Sequence, residues 1–112
     1  MGDDFKLSDE YLLGINYYNS KQYSLADSSF KIVVKRDTNF LSGYYMRALS
    51  NNGLDNKMEK GLAKPFWESF ITKAVADTIK NKTKLISGYE YLGTYYYNKN
   101  DKPQSKSYYQ KI

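Results

Sequence analysis

"YLLGINYYNSKQY", residues 11–23, and "YEYLGTYYYNKND", residues 89–101, are two versions of one pattern, and the fold is read from what they share. Gly14 and Gly93 lie 79 residues apart. At that offset Leu13-Gly14, Tyr17, Ala26, Phe30 and Val33 reappear as Leu92-Gly93, Tyr96, Ser105, Tyr109 and Ile112. Small residues at fixed distances from rings are what close helix packing requires, because the small side lets two helices approach and the ring fills the space opposite. The second stretch also places five tyrosines within residues 89–97, so each ring has to be assigned either to packing or to a surface that holds something.

With 112 residues, 41% hydrophobic and 26% charged, the chain has the composition of one folded domain. Aromatic residues are unusually frequent at 17%, and 13 of them are Tyr. The chain has no Cys and no His, which excludes thiol chemistry, disulfides, the usual zinc sites and the commonest general base. A catalytic role is therefore not expected, and neither a metal nor a cofactor. No apolar run approaches the roughly 20 residues that span a bilayer, so this segment is not expected to insert into a membrane. The opening "MGDDFKLSDE" lacks the regions of a signal peptide, although a Met-Gly start is compatible with a portion of a longer, exported precursor. The net charge of +5 favours acidic partners without marking a nucleic-acid binder, since the lysines are spread along the chain and the group Lys80, Lys82 and Lys84 falls in an expected loop.

Apolar spacings of three and four predict an all-α chain. Ser8, followed by Asp9 and Glu10, predicts an N-cap and a helix to about Ser20. Ser24 and Asp27 form a capping-box pattern for a second helix ending near Arg36. A third is expected from about Phe40 to Asn52, stopped by "NNG". A fourth runs from about Leu62 to Ala76 with Pro65 in its first turn. A fifth, capped by Thr83, reaches about Asn98, and a sixth starts at Asp101 with Pro103 behind it.

The spacing Leu-Gly-x-x-Tyr, then a small residue, then an aromatic, resembles the tetratricopeptide repeat, whose unit is 34 residues long. The resemblance covers residues 6–112 and implies a right-handed superhelical array of three antiparallel helix pairs in a single domain, 1–112, with units at about 7–40, 41–82 and 83–112. The middle unit, carried by "GYYMRALSNN" and "GLAKPFWESFI", is longer than the pattern by three residues between Ala48 and Ala63 and by eight between Ala63 and Gly93. Glu10, Asn51 and Thr38 stand where the pattern usually has an aromatic, Tyr and Pro. The second half of the middle unit is also similar to the C-terminal repeats of a group of bacterial envelope proteins, which implies a periplasmic or cell-envelope location.

Position within the repeat makes Gly14, Ala26, Ala48, Ala63, Gly93 and Ser105 the small residues, and Tyr17, Phe30, Tyr44, Trp67, Tyr89, Tyr96 and Tyr109 their fillers. Tyr91 and Tyr95 are left unassigned. By resemblance the concave face is lined by Tyr11, Ile15 and Tyr18, then Tyr45, Leu49 and Asn52, then Glu90, Thr94 and Tyr97. Such a Tyr-rich groove suits a peptide or protein partner, because Tyr offers area and a polar tip at little entropic cost. Alternatively, another segment of a longer protein covers it as part of a structural spacer, or the rings stack on single-stranded nucleic acid. A monomer is expected. The Lys and Asn clamp with which chaperone-tail readers of this family hold a carboxylate is missing, since Tyr11 and Ile15 occupy those positions. Tyr45, turned about 100° from Tyr44, is expected at the centre of the groove and removable without cost to the fold. Ser28-Ser29-Phe30-Lys31 fits S-x-x-K by chance, without companion motifs, and the sequon Asn81-Lys82-Thr83 is likewise expected by chance.

Overall fold

The computed structural model describes residues 6–112, so residues 1–5, the start of the expected domain, lie outside the described residues. Six α-helices follow one another: α1 Leu7–Asn19, α2 Tyr23–Arg36, α3 Leu41–Leu54, α4 Lys64–Ala74, α5 Lys82–Asn98 and α6 Lys102–Tyr109. Each packs on the next, giving three hairpins in a row. The array is elongated, 51 × 29 × 19 Å, with a radius of gyration of 14.7 Å against about 13 Å for a compact chain of this length.

Within each outer hairpin a glycine lies under a ring. A Cβ on Gly14 would stand 2.6 Å from the Phe30 ring, and one on Gly93 would stand 2.8 Å from that of Tyr109. Ala26, Ala48, Ala63 and Ser105 are all buried, as expected of the small set. The first two hairpins are tied together by Asp27, which accepts from Arg47 Nε at 2.8 Å and from Asn51 Nδ2 at 3.0 Å, while the Arg47 guanidinium lies 4.3 Å from the Phe66 ring centre. Successive hairpins meet through two more glycines. A Cβ on Gly43 of α3 would stand 2.7 Å from Val34 of α2, and one on Gly88 of α5 would stand 3.0 Å from Trp67 and Ile71 of α4.

The helix starts differ from the sequence expectation in three places. Lys6, Gln22 and Asn81 are the caps of α1, α2 and α5, none with a side-chain capping bond, so Ser8, Ser24 and Thr83 lie inside the first turns, and Lys82 and Lys84 are helical instead of in a loop. Tyr23 is drawn into α2 by its ring, which meets Tyr18 edge-on at 5.5 Å and covers Gly53, while Asp27 is taken by Arg47 and Asn51 instead of closing a capping box. The "NNG" stretch does not end α3. Asn51 donates to the Arg47 carbonyl and to Asp27, and Gly53 receives the Tyr23 ring, so both stay helical and α3 runs to Leu54. Asp101 does cap α6, accepting from the Gln104 N–H at 3.2 Å.

The extra residues of the middle hairpin form two organised connections. Between α3 and α4 the buried Asp55 carboxylate accepts from the backbone N–H groups of Lys60 and Leu62, each at 3.1 Å. Burial pushes its pKa up, but those donors, with Gly61 and Glu59, outweigh burial and hold it below the usual value. Gly61 is left-handed at φ 67° and sits under the Tyr95 ring, so both its backbone and its surroundings require glycine. After α4 a 3₁₀ turn, Val75–Asp77, leads to Asn81, whose Nδ2 donates to the Ala74 carbonyl at 3.1 Å.

Candidate functional site

The first helices of the hairpins, α1, α3 and α5, carry all nine residues expected on the concave face. They do not form one even surface. Tyr11, Ile15, Tyr18, Tyr45 and Leu49 are half-buried around the cluster of Ala26, Phe30 and Met46. Tyr11 packs on Phe30 and Phe40 at 5.6 and 5.1 Å, and burial raises its pKa, with the Ser42 hydroxyl acting in the opposite direction. Burial likewise raises that of Tyr18, helped by the neighbouring Tyr23 and Tyr45 hydroxyls.

Tyr45 belongs to the packing of both halves. Its ring meets Trp67 edge-on at 5.6 Å and Phe70 at 5.4 Å, and Lys84 Nζ lies 5.1 Å from its centre. The expectation that it can be removed without cost to the fold is therefore revised. Turning away from Tyr44 brings it against α4 and α5 before it reaches open solvent. Tyr44 has its own anchor, with its hydroxyl donating to the Thr38 carbonyl at 3.0 Å.

Leu49, Asn52, Glu90 and Thr94 meet at a cavity of about 260 Å³ between α3 and α5. Trp67 of α4 lies against it, with Met58 from the 55–63 connection and Ser87 and Tyr91 from α5 completing the wall. Tyr97 is elsewhere. It is exposed at the far end of α5 beside Lys102, Lys106 and Tyr109 of the last hairpin.

Trp67, read from the sequence as a filler, is thus also a lining residue, and Tyr91, left unassigned, is buried against it at 6.3 Å between ring centres. Burial pushes the Tyr91 hydroxyl up to about 12, aided by the Asp55 carboxylate. The Ala63 backbone pulls the other way without reaching hydrogen-bond geometry. Tyr95 stacks on Tyr91 at 6.4 Å and covers Gly61. Most rings of the 89–97 stretch are therefore packing residues, and Tyr97 is its one exposed tyrosine.

Among the described residues, no group of three or more His, Cys, Asp or Glu could hold a metal ion, and no helix is long and apolar enough to cross a membrane.

Consecutive hairpins, each outer one closed by a glycine under a ring, form a helical-repeat array with the architecture of tetratricopeptide repeats. The comparison with solved structures gives the same class. The crystal structure of the C-terminal part of a TPR repeat-containing protein from Cytophaga hutchinsonii matches over 94% of this chain, with a TM-score of 0.91 and 35% sequence identity. The chain spans 41% of that neighbour's chain. No family model matches the chain, and no curated protein does.

Proposed function

We propose that the chain is a non-catalytic interaction scaffold whose concave face holds a peptide or protein segment. The observation that carries this reading is the meeting of Leu49, Asn52, Glu90 and Thr94, from two different hairpins, at one cavity with mixed polar and apolar walls. Recesses of that kind, with a few polar groups set among apolar ones, are where side chains of a partner are held. Single-stranded nucleic acid is a poorer fit, because the rings face each other. Tyr96 stacks on Tyr108 at 5.8 Å, Tyr91 on Tyr95, and lysines 64, 73, 84 and 99 lie over tyrosine faces. Base stacking needs those faces open.

A second reading, a spacer in a longer array, is favoured by the apolar residues exposed at both ends, Leu12 and Leu13 on α1 and Tyr109 and Ile112 at the other. Peptide-display selection on the folded protein separates the two. Selected peptides are expected to lose tenfold or more in affinity for Thr94→Arg and to bind Lys31→Glu, a change on the exposed side of α2, like the parent. Equal binding to the Thr94→Arg protein removes the groove reading.

A further inference from the structure

A recess of about 460 Å³ opens where the start of α3, the end of α4 and the start of α5 meet. It lies at the opposite ends of α3 and α5 from the groove residues, beside Leu41 and Ser42 in place of Leu49 and Asn52, and beside Lys84 in place of Glu90 and Thr94. Three lysines line it: Lys73 from α4, Lys80 from the connection 75–81 and Lys84 from α5. Among the described residues none of the three has an ion-pair partner. Asp77 is the one acid at the wall, and its carboxylate is taken up by the Lys80 backbone N–H at 3.0 Å. Asp37, in the turn before α3, is likewise held by the Asn39 N–H at 3.0 Å. The recess therefore carries an excess of positive charge. The start of α3 adds to it, since that helix has neither a side-chain cap nor an acid in its first turn.

The charge is held in place. Lys73 Nζ lies 5.1 Å from the centre of the Tyr44 ring, and Lys84 Nζ lies 5.1 Å from that of Tyr45. A ring face occupies one side of an ammonium and leaves N–H donors for a further partner. Lys80 is positioned by its own turn, where Asp77 accepts from its backbone and the next side chain, Asn81, donates to the Ala74 carbonyl at 3.1 Å. That turn belongs to the residues by which the middle hairpin exceeds the repeat length, so part of the basic wall is built by a segment that helix pairing does not need.

The geometry selects the kind of anion. Tyr44 and Tyr45 are consecutive on α3, so their rings diverge by about 100° and the two ammoniums seated on them stand apart. Separate point charges around a recess with Phe40 and Leu41 in its wall suit several carboxylates on short carbon stems. A single phosphate is held best by donors that converge on it, and arginine, whose fork matches phosphate, is not among the lining residues. Nucleic-acid bases need open ring faces, and those of Tyr44 and Tyr45 carry lysines. We propose that this recess is a binding site for an acidic segment of a partner protein, with Lys73, Lys80 and Lys84 receiving its Glu or Asp carboxylates. The site is separate from the groove and does not depend on the groove reading.

The probe is an oligoglutamate peptide with blocked ends, and the oligoglutamine peptide of the same length is its neutral counterpart. In proton–nitrogen correlation spectra at low salt, the acidic peptide is expected to move the backbone resonances of Ser42, Asn81 and Lys84 saturably, and the neutral peptide to leave them in place. Lys80→Gln is expected to weaken binding roughly threefold. Lys80 is exposed and makes its structural bond through the backbone, so this substitution leaves the fold intact. Adding Lys73→Gln and Lys84→Gln to it is expected to raise the loss to about tenfold or more. Lys31→Gln, which removes the same charge from the exposed side of α2, is expected to bind like the parent.

The proposal is overturned if the acidic peptide moves none of the three resonances, or if oligoglutamine moves them equally. It is also overturned if Lys31→Gln loses as much affinity as Lys80→Gln, which would make net charge alone the attraction. Shifts confined to Asn52 and Thr94 would place the acidic peptide in the groove and remove the basic recess as its site. Inorganic pyrophosphate or a thymidine oligonucleotide that saturates the same resonances at a lower concentration than the peptide would assign the recess to phosphates and overturn the acidic segment as its ligand.

Discussion

Phe30 in the first hairpin is fully buried, whereas Tyr109, its counterpart 79 residues on, keeps 42% of its surface. Val33 keeps none and its counterpart Ile112 keeps 52%. On the opposite face the order is reversed, with Leu13 of the first hairpin 40% exposed and its counterpart Leu92 fully buried. The backbones of the two hairpins are nevertheless alike. Both turn through a left-handed residue, Lys21 at φ 63° and Asn100 at φ 61°. Both close with the same bonds, Gln22 N–H to the Tyr17 carbonyl at 2.8 Å and Asp101 N–H to that of Tyr96 at 2.9 Å. The difference is in neighbours. α3 covers the far face of the first hairpin and α4 covers the near face of the last, so burial in this fold belongs to a position's place in the row.

The last hairpin is also richer in hydroxyls than the first. Where the first has Ala26, Phe30 and Ile15, the last has Ser105, Tyr109 and Thr94. The Ser105 hydroxyl donates to the Gly93 carbonyl at 2.7 Å, and Thr94 and Tyr109 share a hydrogen bond of 2.6 Å. Of these residues Ser105 is buried, whereas Tyr109 is exposed.

The comparison can be broken most directly at the rings. Phe30→Ala is expected to cost about 3–5 kcal/mol in urea unfolding, and Tyr109→Ala about 1 kcal/mol, because its ring is already half in solvent. Equal losses would mean that the two hairpins share one environment after all. At the opposite face the sign reverses, with Leu92→Ala expected to cost about 2–4 kcal/mol and Leu13→Ala less than about 1 kcal/mol.

Alkali sharpens the contrast further. Tyr91 is buried in the last hairpin where the first has the exposed Leu12. Its hydroxyl is held neutral, with its pKa moved from 10.0 to about 12. The folded state therefore binds the proton more tightly, and that contribution is complete below pH 10 and lost as pH rises from 10 to about 12. The melting temperature is expected to fall over that interval and to fall less in Tyr91→Phe. A fall of the same size in the variant would assign the alkaline loss to other groups. The smallest effect lies in the shared turn, where Lys21→Asn is expected to stabilise and Asn100→Lys to destabilise, each by roughly 0.5–1 kcal/mol, since Asn tolerates the left-handed conformation better. Thermal melts that do not separate the two substitutions would remove strain as the distinction between the turns.

The repeat was legible because its determinants are local and recur. Gly14 with Phe30 and Gly93 with Tyr109 stand at fixed spacings, and the pattern carries the hairpin. Gly53 was misread as a turn because its use depends on Tyr23, which reaches it from another helix. Tyr45 was placed correctly on its own helix, but the approach of Trp67 and Phe70 is a long-range fact that angular position cannot supply. In the candidate site, the repeat resemblance named Leu49, Asn52, Glu90 and Thr94, which line one cavity. The roles of Trp67 and Tyr91 were hidden, since repeat position explains why a ring is present and says nothing about whether its polar atom finds a partner.

Gly43 and Gly88 act, in mechanical terms, as pivots. Each lies in the first half of a helix that opens a new hairpin and rests directly on the hairpin before it. Each contact fixes how closely its helix sits on the preceding hairpin, and the residues that follow the glycine are carried with it. Leu49 and Asn52 lie beyond Gly43, and Glu90 and Thr94 beyond Gly88. The seating of the two helices that carry these four residues is thus set by how closely two glycine hydrogens sit against Val34 and Trp67.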